Sequence, residues 1–143
     1  MSKERGGPGI RQQTLVYPMT EARLATGSCE RNKDEIILTL RDAKAFMDYY
    51  FGPDADRRDF RASPLLAPDH AGLPPAFIVA AGHDPLHDDA IMYAEKLHAA
   101  EVPVTLRDYP RMCHGFFTFP HMGIDAKPAL AEIVVDLRER LPA

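Results

Sequence analysis

The longest unbroken apolar run in the chain is Ala76-Phe77-Ile78-Val79-Ala80-Ala81, closed by Gly82. A run without polar alternation predicts a strand covered on both faces, as in parallel sheets flanked by helices. Two shorter runs read the same way. Gln13-Thr14-Leu15-Val16-Tyr17 is β-branched and aromatic, too short for a helix, and closed by Pro18; Val102-Pro103-Val104-Thr105-Leu106 exits into Arg107-Asp108. Elsewhere the apolar interval lengthens to three and four. Leu40, Ala43, Phe46, Met47 and Tyr50 predict a helix within residues 34–51, stopped at Gly52-Pro53. Leu86, Ala90, Tyr93, Ala94 and Leu97 share one face of a helix predicted from Pro85 onward, with Asp88 and Asp89 in its first turn, where the helix dipole favours negative charge. Leu130, Ile133, Val134 and Leu137 predict the apolar face of a last helix over residues 129–141.

Strands alternating with helices imply parallel strands joined by crossovers, hence an α/β fold of about three parallel strands with flanking helices. The segments between are read as connections. Gly6, Gly7, Pro8 and Gly9 make residues 1–12 a leader loop, residues 54–61 are a charged surface stretch, residues 63–68 are proline-rich and extended, and residues 109–113 are a short loop ahead of His114.

With 143 residues, 45% hydrophobic and 27% charged, the chain has room for one domain with a real core. A formal charge of -4 and a pI near 5.8 argue against a nucleic-acid partner, which needs clustered Lys and Arg. No apolar run approaches the roughly 18 residues of a membrane span, and the start of the chain is polar and Gly-rich, unlike the core of a signal peptide. Cys29 and Cys113 lie far apart in unlike contexts, which predicts free thiols and a reducing, cytoplasmic location.

In open parallel sheets ligands bind beyond the carboxyl ends of the strands. Asp84 and His114 both fall there, each just past a predicted strand, and the helix and strand between them return the backbone to the same edge. A carboxylate that accepts Nδ1–H of an imidazole fixes its tautomer and stabilises the imidazolium formed when Nε2 takes a proton. Gly115 lets the loop turn tightly and expose the ring, with Phe116 and Phe117 pinning it. Other readings stay open: Asp84 before Pro85 also has the form of a helix N-cap, and a histidine beside aromatic residues is often a core residue. Further histidines, His83, His87, His98 and His121, dilute the signal.

Pro85 separates His83 from His87, Cys113 and His114 are adjacent and point apart, and neither CxxC nor HExxH occurs, so no metal site is predicted. The opening glycines lack the order of a phosphate-cradling loop, and no organic cofactor is called for. The serines are Ser2, Ser28 and Ser63, none within Gly-x-Ser-x-Gly. Cys113 beside His114 is better read as a structural thiol than as a substitute nucleophile.

Several phrases then combine in order: Ala62-Ser63-Pro64-Leu65-Leu66-Ala67, Leu73-Pro74-Pro75-Ala76, His83-Asp84-Pro85-Leu86-His87-Asp88, Tyr93-Ala94-Glu95-Lys96-Leu97, Val102-Pro103-Val104 and His114-Gly115-Phe116-Phe117. Together they resemble the carboxyl-terminal half of bacterial esterases of the hormone-sensitive lipase family, of α/β-hydrolase fold, over nearly the whole chain. The resemblance implies a carboxylic ester hydrolase of serine esterase type in which Asp84 is the triad acid and His114 the base, acting on a small-molecule ester without a cofactor. It makes residues 21–61 part of a helical cap, whose Phe46, Met47, Tyr49 and Tyr50 offer apolar contact to substrate or simply pack on the sheet, and residues 62–143 the unit carrying acid and base. It also makes the last strand, Val104, Thr105, Leu106 and Arg107, a candidate edge for a homodimer. The family's His-Gly-Gly-Gly oxyanion loop and Gly-Asp-Ser-Ala-Gly elbow do not occur in the sequence. Residues 1–8 resemble the end of the nucleophile helix, so the start is expected to fall inside a fold: a fragment, a misplaced start or a truncated gene. A catalytically silent module acting in assembly is the alternative function.

Overall fold

A computed structural model describes residues 5–119 and 126–140. The resemblance drawn for residues 1–4, and the positions of His121 and Leu141, lie outside them. Three parallel strands, β1 (Gln13–Val16), β2 (Ala76–His83) and β3 (Val104–Cys113), form a sheet in that order, so β2 is central and the other two are edges among the described residues. The helices are α1 (Gly27–Arg31), α2 (Leu40–Phe51), α3 (His87–Ala99) and α4 (Ala126–Arg140), with a 3-10 turn at Pro64–Leu66.

The unbroken apolar run of β2 has the predicted cause. Ala76, Ile78 and Ala80 pack with Ala90, Tyr93, Ala94 and Leu97 of α3, whereas Phe77, Val79 and Ala81 pack with Ala126, Ala129 and Ile133 of α4 and with Phe116. The period-two alternation of side chains thus feeds two separate apolar layers.

Several predicted boundaries are corrected. The helix expected within residues 34–51 starts only at Leu40, where Thr39 and Asp42 form a reciprocal capping box; Gly52 ends it as expected, at φ 74°. The helix expected from Pro85 begins at His87, because Pro85 and Leu86 lie in the turn that Asp84 organises. A short helix, α1, lies within residues 21–33, whose apolar positions follow no clear period, and the extended reading of residues 63–68 gives way to the 3-10 turn.

The last helix starts earlier, at Ala126, and its inward face matches the predicted one only in part: Ile133 is buried and Leu137 packs against the same cluster, whereas Leu130 is 53% exposed and Ala126, Ala129 and Asp136 are buried instead. Small side chains let the helix approach the sheet, leaving Leu130 and Val134 outward.

The largest correction concerns residues 109–113, expected as a loop. β3 runs through them to Cys113. Ala81 pairs with Tyr109 and His83 with Cys113, so Gly82 alone faces Pro110, Arg111 and Met112. This is a bulge on an edge strand, where a proline without N–H is tolerated.

Candidate active site

The bulge places the candidate pair. Because His83 stands opposite Cys113 on adjacent parallel strands, the next residues, Asp84 and His114, leave the sheet side by side at its carboxyl edge. Without the extra residues in β3 the two chains would be out of step there. Gly82 makes the close approach possible: a Cβ at this position would lie 2.3 Å from the Pro110 carbonyl oxygen.

Asp84 is fully buried, and its two oxygens serve two elements. Oδ1 accepts the Leu86 amide at 2.8 Å, while Oδ2 lies 2.7 Å from His114 Nδ1. A carboxylate only accepts, so Nδ1 carries the proton. The N-cap reading of Asp84 is corrected: the N-cap is Leu86, no side chain caps the helix, and Asp84 closes the turn ahead of it while pairing with His114. Asn32 holds the turn from outside, donating Nδ2–H to the carbonyls of Gly82 (2.9 Å) and Asp84 (2.8 Å).

His114 keeps 25% of its side-chain surface exposed. Gly115 follows at φ 74°, in the left-handed region that suits glycine, and a turn closed by Thr118 N–H to the Gly115 carbonyl (2.8 Å) carries the chain away from the ring. Phe116 is buried, but it does not pin the imidazole directly. The ring against His114 is Tyr17, with centroids 4.7 Å apart and a tilt of 57°. Phe116 and Phe117 pack against Tyr17 in turn, tilted, with centroids at 5.9 and 6.0 Å. Burial raises the pKa of the Tyr17 hydroxyl, against a hydrogen bond with the Phe117 backbone, and Asp84 and Cys113 push in the same direction as burial.

Beyond His114 opens a cavity of about 270 Å³ lined by apolar side chains, among them Leu24, Leu38, Ala43, Phe46, Met47 and Leu86. Most come from residues 21–61, and Leu24, Leu38, Leu40, Ala43, Cys29 and Leu86 form a core cluster of their own. Of the helix residues singled out from sequence, Phe46 and Met47 line this cavity, whereas Tyr49 and Tyr50 are 87% and 80% exposed and do not.

A buried polar network that sequence reasoning missed ties this segment to α3. Asp89, fully buried, accepts the amides of Thr20 (2.7 Å) and Glu21 (2.8 Å) and the Thr26 hydroxyl (3.1 Å). Burial pushes its pKa up to about 6, against those three donors and with the help of neighbouring Glu21. Ser28 Oγ donates to the Pro85 carbonyl at 2.6 Å and accepts the Asp88 amide at 3.0 Å. Asp88 in turn accepts the Ser28 amide and pairs with Arg31. The sequence signal, two consecutive acids at a helix start facing a Thr- and Ser-containing stretch, is too common to single out.

The remaining candidates resolve simply. Ser28 and Ser63 are both fully buried, with Ser63 Oγ donating to the Arg57 carbonyl at 2.5 Å, and Ser2 lies outside the described residues. Cys29 and Cys113 are free thiols. His83 faces Glu35 at 3.0 Å and His87 faces Asp88 and Asp108 at 3.2 Å each. Among the described residues no cluster of metal-ligating side chains is present, and no helix is long and apolar enough to cross a membrane.

The arrangement can be set beside known proteins. The model of a family described as having the α/β-hydrolase fold matches residues 1–118. Carboxylesterase NlhH of Mycobacterium tuberculosis is 44% identical over the whole of this chain and 46% of its own length. An ethyl acetate hydrolase of Pseudomonas putida is 33% identical over 92% of this chain and 41% of its own, and human hormone-sensitive lipase is 43% identical over 52% of this chain. Among solved structures, a thermostable esterase from Pseudomonas putida superposes with a TM-score of 0.92 at 34% identity, over 99% of this chain and 46% of that one. The chain spans about half the length of the curated bacterial relatives it matches.

Proposed function

The chain belongs to the α/β-hydrolase fold family, among esterases related to hormone-sensitive lipase, and from that premise we propose that it supplies the acid and the base of a serine carboxylester hydrolase. The observation that carries this reading is the 2.7 Å contact between buried Asp84 and partly open His114 at the carboxyl ends of neighbouring strands. Asp84 holds the imidazole with Nδ1 protonated, leaving Nε2 as the proton acceptor. Nε2 takes the proton of a serine hydroxyl as Oγ attacks the ester carbonyl, then returns it to the departing alkoxide. Water repeats the cycle on the acyl-enzyme, and the carboxylic acid leaves. The serine comes from a segment other than the residues described, since Ser28 and Ser63 are committed to buried hydrogen bonds.

The apolar cavity beside His114 supports a role as acyl or alcohol pocket, with residues 21–61 as cap. β3 is a free edge among the described residues, and Val104 through Arg107 is where a second copy would add a strand. A solution mass of one chain would remove that part of the reading.

Two measurements test the function. In-frame Gly-Asp-Ser-Ala-Gly codons upstream of Met1 support it, and a stop or unrelated sequence there favours a silent module. Hydrolysis of short-chain p-nitrophenyl esters by the chain joined to a serine-bearing segment should fall by at least about 10³-fold in His114→Ala; an unchanged rate refutes the role of the histidine.

A further inference from the structure

The imidazole of His114 is fixed on one side by Asp84, which constrains a single atom, Nδ1. One hydrogen bond leaves the ring free to swing about it. The second constraint comes from Tyr17, whose ring centroid lies 4.7 Å away.

Tyr17 is itself held in an unusual way. Its amide donates to the Val79 carbonyl at 2.7 Å, one residue past the end of β1, so its backbone belongs to the sheet. Its φ is 37°, and it precedes Pro18, which disfavours helical backbone at the preceding residue. A bulky residue with positive φ costs of order 1–3 kcal/mol and persists only where the surroundings fix it. The fixing groups are visible: Phe116, fully buried in the core, and Phe117 both pack at a tilt against the Tyr17 ring, and they pack on each other at 4.5 Å. The strained backbone thus turns the side chain off the strand and over the imidazole, with an aromatic pair behind it.

We propose that Tyr17 is a positioning residue for His114: its ring, braced by Phe116 and Phe117, holds the imidazole plane so that Nδ1 faces Asp84 while Nε2 stays open to the reacting groups. This rests on the reading of His114 as a base, but it concerns the orientation of the ring and can be tested without catalysis.

The test uses proton and nitrogen magnetic resonance of the histidine rings in the full chain. Tyr17→Gly removes the ring at a backbone conformation glycine adopts freely, and Tyr17→Phe keeps the ring without the hydroxyl. His70 is the internal reference: it is buried, its Nε2 lies 3.0 Å from the Pro64 carbonyl, and its ring packs on Tyr93, remote in sequence from the Tyr17 cluster. The hydrogen-bonded Nδ1–H of His114 should exchange with water at least about tenfold faster in Tyr17→Gly, and its two ring nitrogens should move toward averaged tautomer shifts. The His70 signals should stay in place, and Tyr17→Phe should behave like the unmodified chain. An unchanged His114 signal in Tyr17→Gly overturns the proposal. If that variant also loses the His70 signal, the same comparison in Tyr17→Leu decides: faster exchange there supports the proposal, and an unchanged His114 signal overturns it. A failure of ester hydrolysis alone leaves this comparison standing, so the two readings fail separately.

Discussion

Asp84 Oδ2 sits 2.7 Å from His114 Nδ1, with the carboxylate wholly buried and a quarter of the imidazole side chain exposed. The other oxygen, Oδ1, is taken by the Leu86 amide. In Asp84→Asn the amide oxygen must stay with Leu86 N–H, which turns the NH₂ group toward His114 and forces Nδ1 to accept. The proton then resides on Nε2, the atom needed as base. We expect ester hydrolysis by the serine-completed protein to drop on the order of 10⁴-fold with little loss of fold, checked by kinetics alongside urea denaturation.

Gly82 is the hinge of the bulge that brings the pair into step. A methyl group at this position meets the Pro110 backbone, which has no flexible end to give way. Gly82→Ala should cost about 1–3 kcal/mol, the usual range for overpacking, seen as a lower urea midpoint. Because the shift falls on the strand ends, the Asp84–His114 hydrogen bond should weaken in the same variant.

Ser28 is buried and satisfies both the Pro85 carbonyl and the Asp88 amide. Ser28→Ala strips the Asp88 amide of this acceptor, leaves the Pro85 carbonyl with only the weaker Cys29 Sγ donor, and should cost about 1–3 kcal/mol in urea denaturation. If Ser28 were the nucleophile, hydrolysis would vanish; the structure predicts that activity follows the folded fraction.

Burial of Asp89 should leave a mark on the pH dependence of stability. Its carboxyl titrates near 3.8 when free and at about 6 in the fold. Between these values the folded state holds more proton than the unfolded chain, so stability falls as pH rises through the window, by at most about 3 kcal/mol. Urea midpoints measured from pH 4 to pH 7 should contain this descending component, and it should disappear in Asp89→Asn.

Filling the cavity beside His114 should change chain-length preference. Ala43 is buried in its wall, and Ala43→Leu occupies part of the space. The ratio of kcat/KM for a p-nitrophenyl hexanoate to that for the acetate should fall by about 10-fold, within what a few methylenes of pocket are worth. An unchanged ratio places the acyl chain elsewhere.

Much of this was legible in the residues because burial leaves a plain mark. β2 feeds two apolar layers and so has no polar position from Ala76 to Ala81, and Asp84 and His114 follow their strands directly. The end of β3 was illegible because Pro110 is a strand breaker in the interior of a sheet and is tolerated here only at an edge bulge. α4 misled because its large residues, Leu130 and Val134, face outward while Ala126 and Ala129 pack. Tyr17 gave no signal as a neighbour of His114: its place depends on a backbone angle that hydrophobic spacing does not encode. Asn32 and Asp89 lie where polar residues are ordinary, and only their partners distinguish them.

Chemical rescue of His114→Ala tests the central claim most directly. With the serine-bearing segment supplied, short-chain p-nitrophenyl ester hydrolysis should be nearly abolished by the substitution and partly restored by free imidazole, whereas Asp84→Asn, whose own ring stays in place in the wrong tautomer, should gain nothing from it. A His114→Ala protein that hydrolyses the ester at the unmodified rate without imidazole would contradict the account.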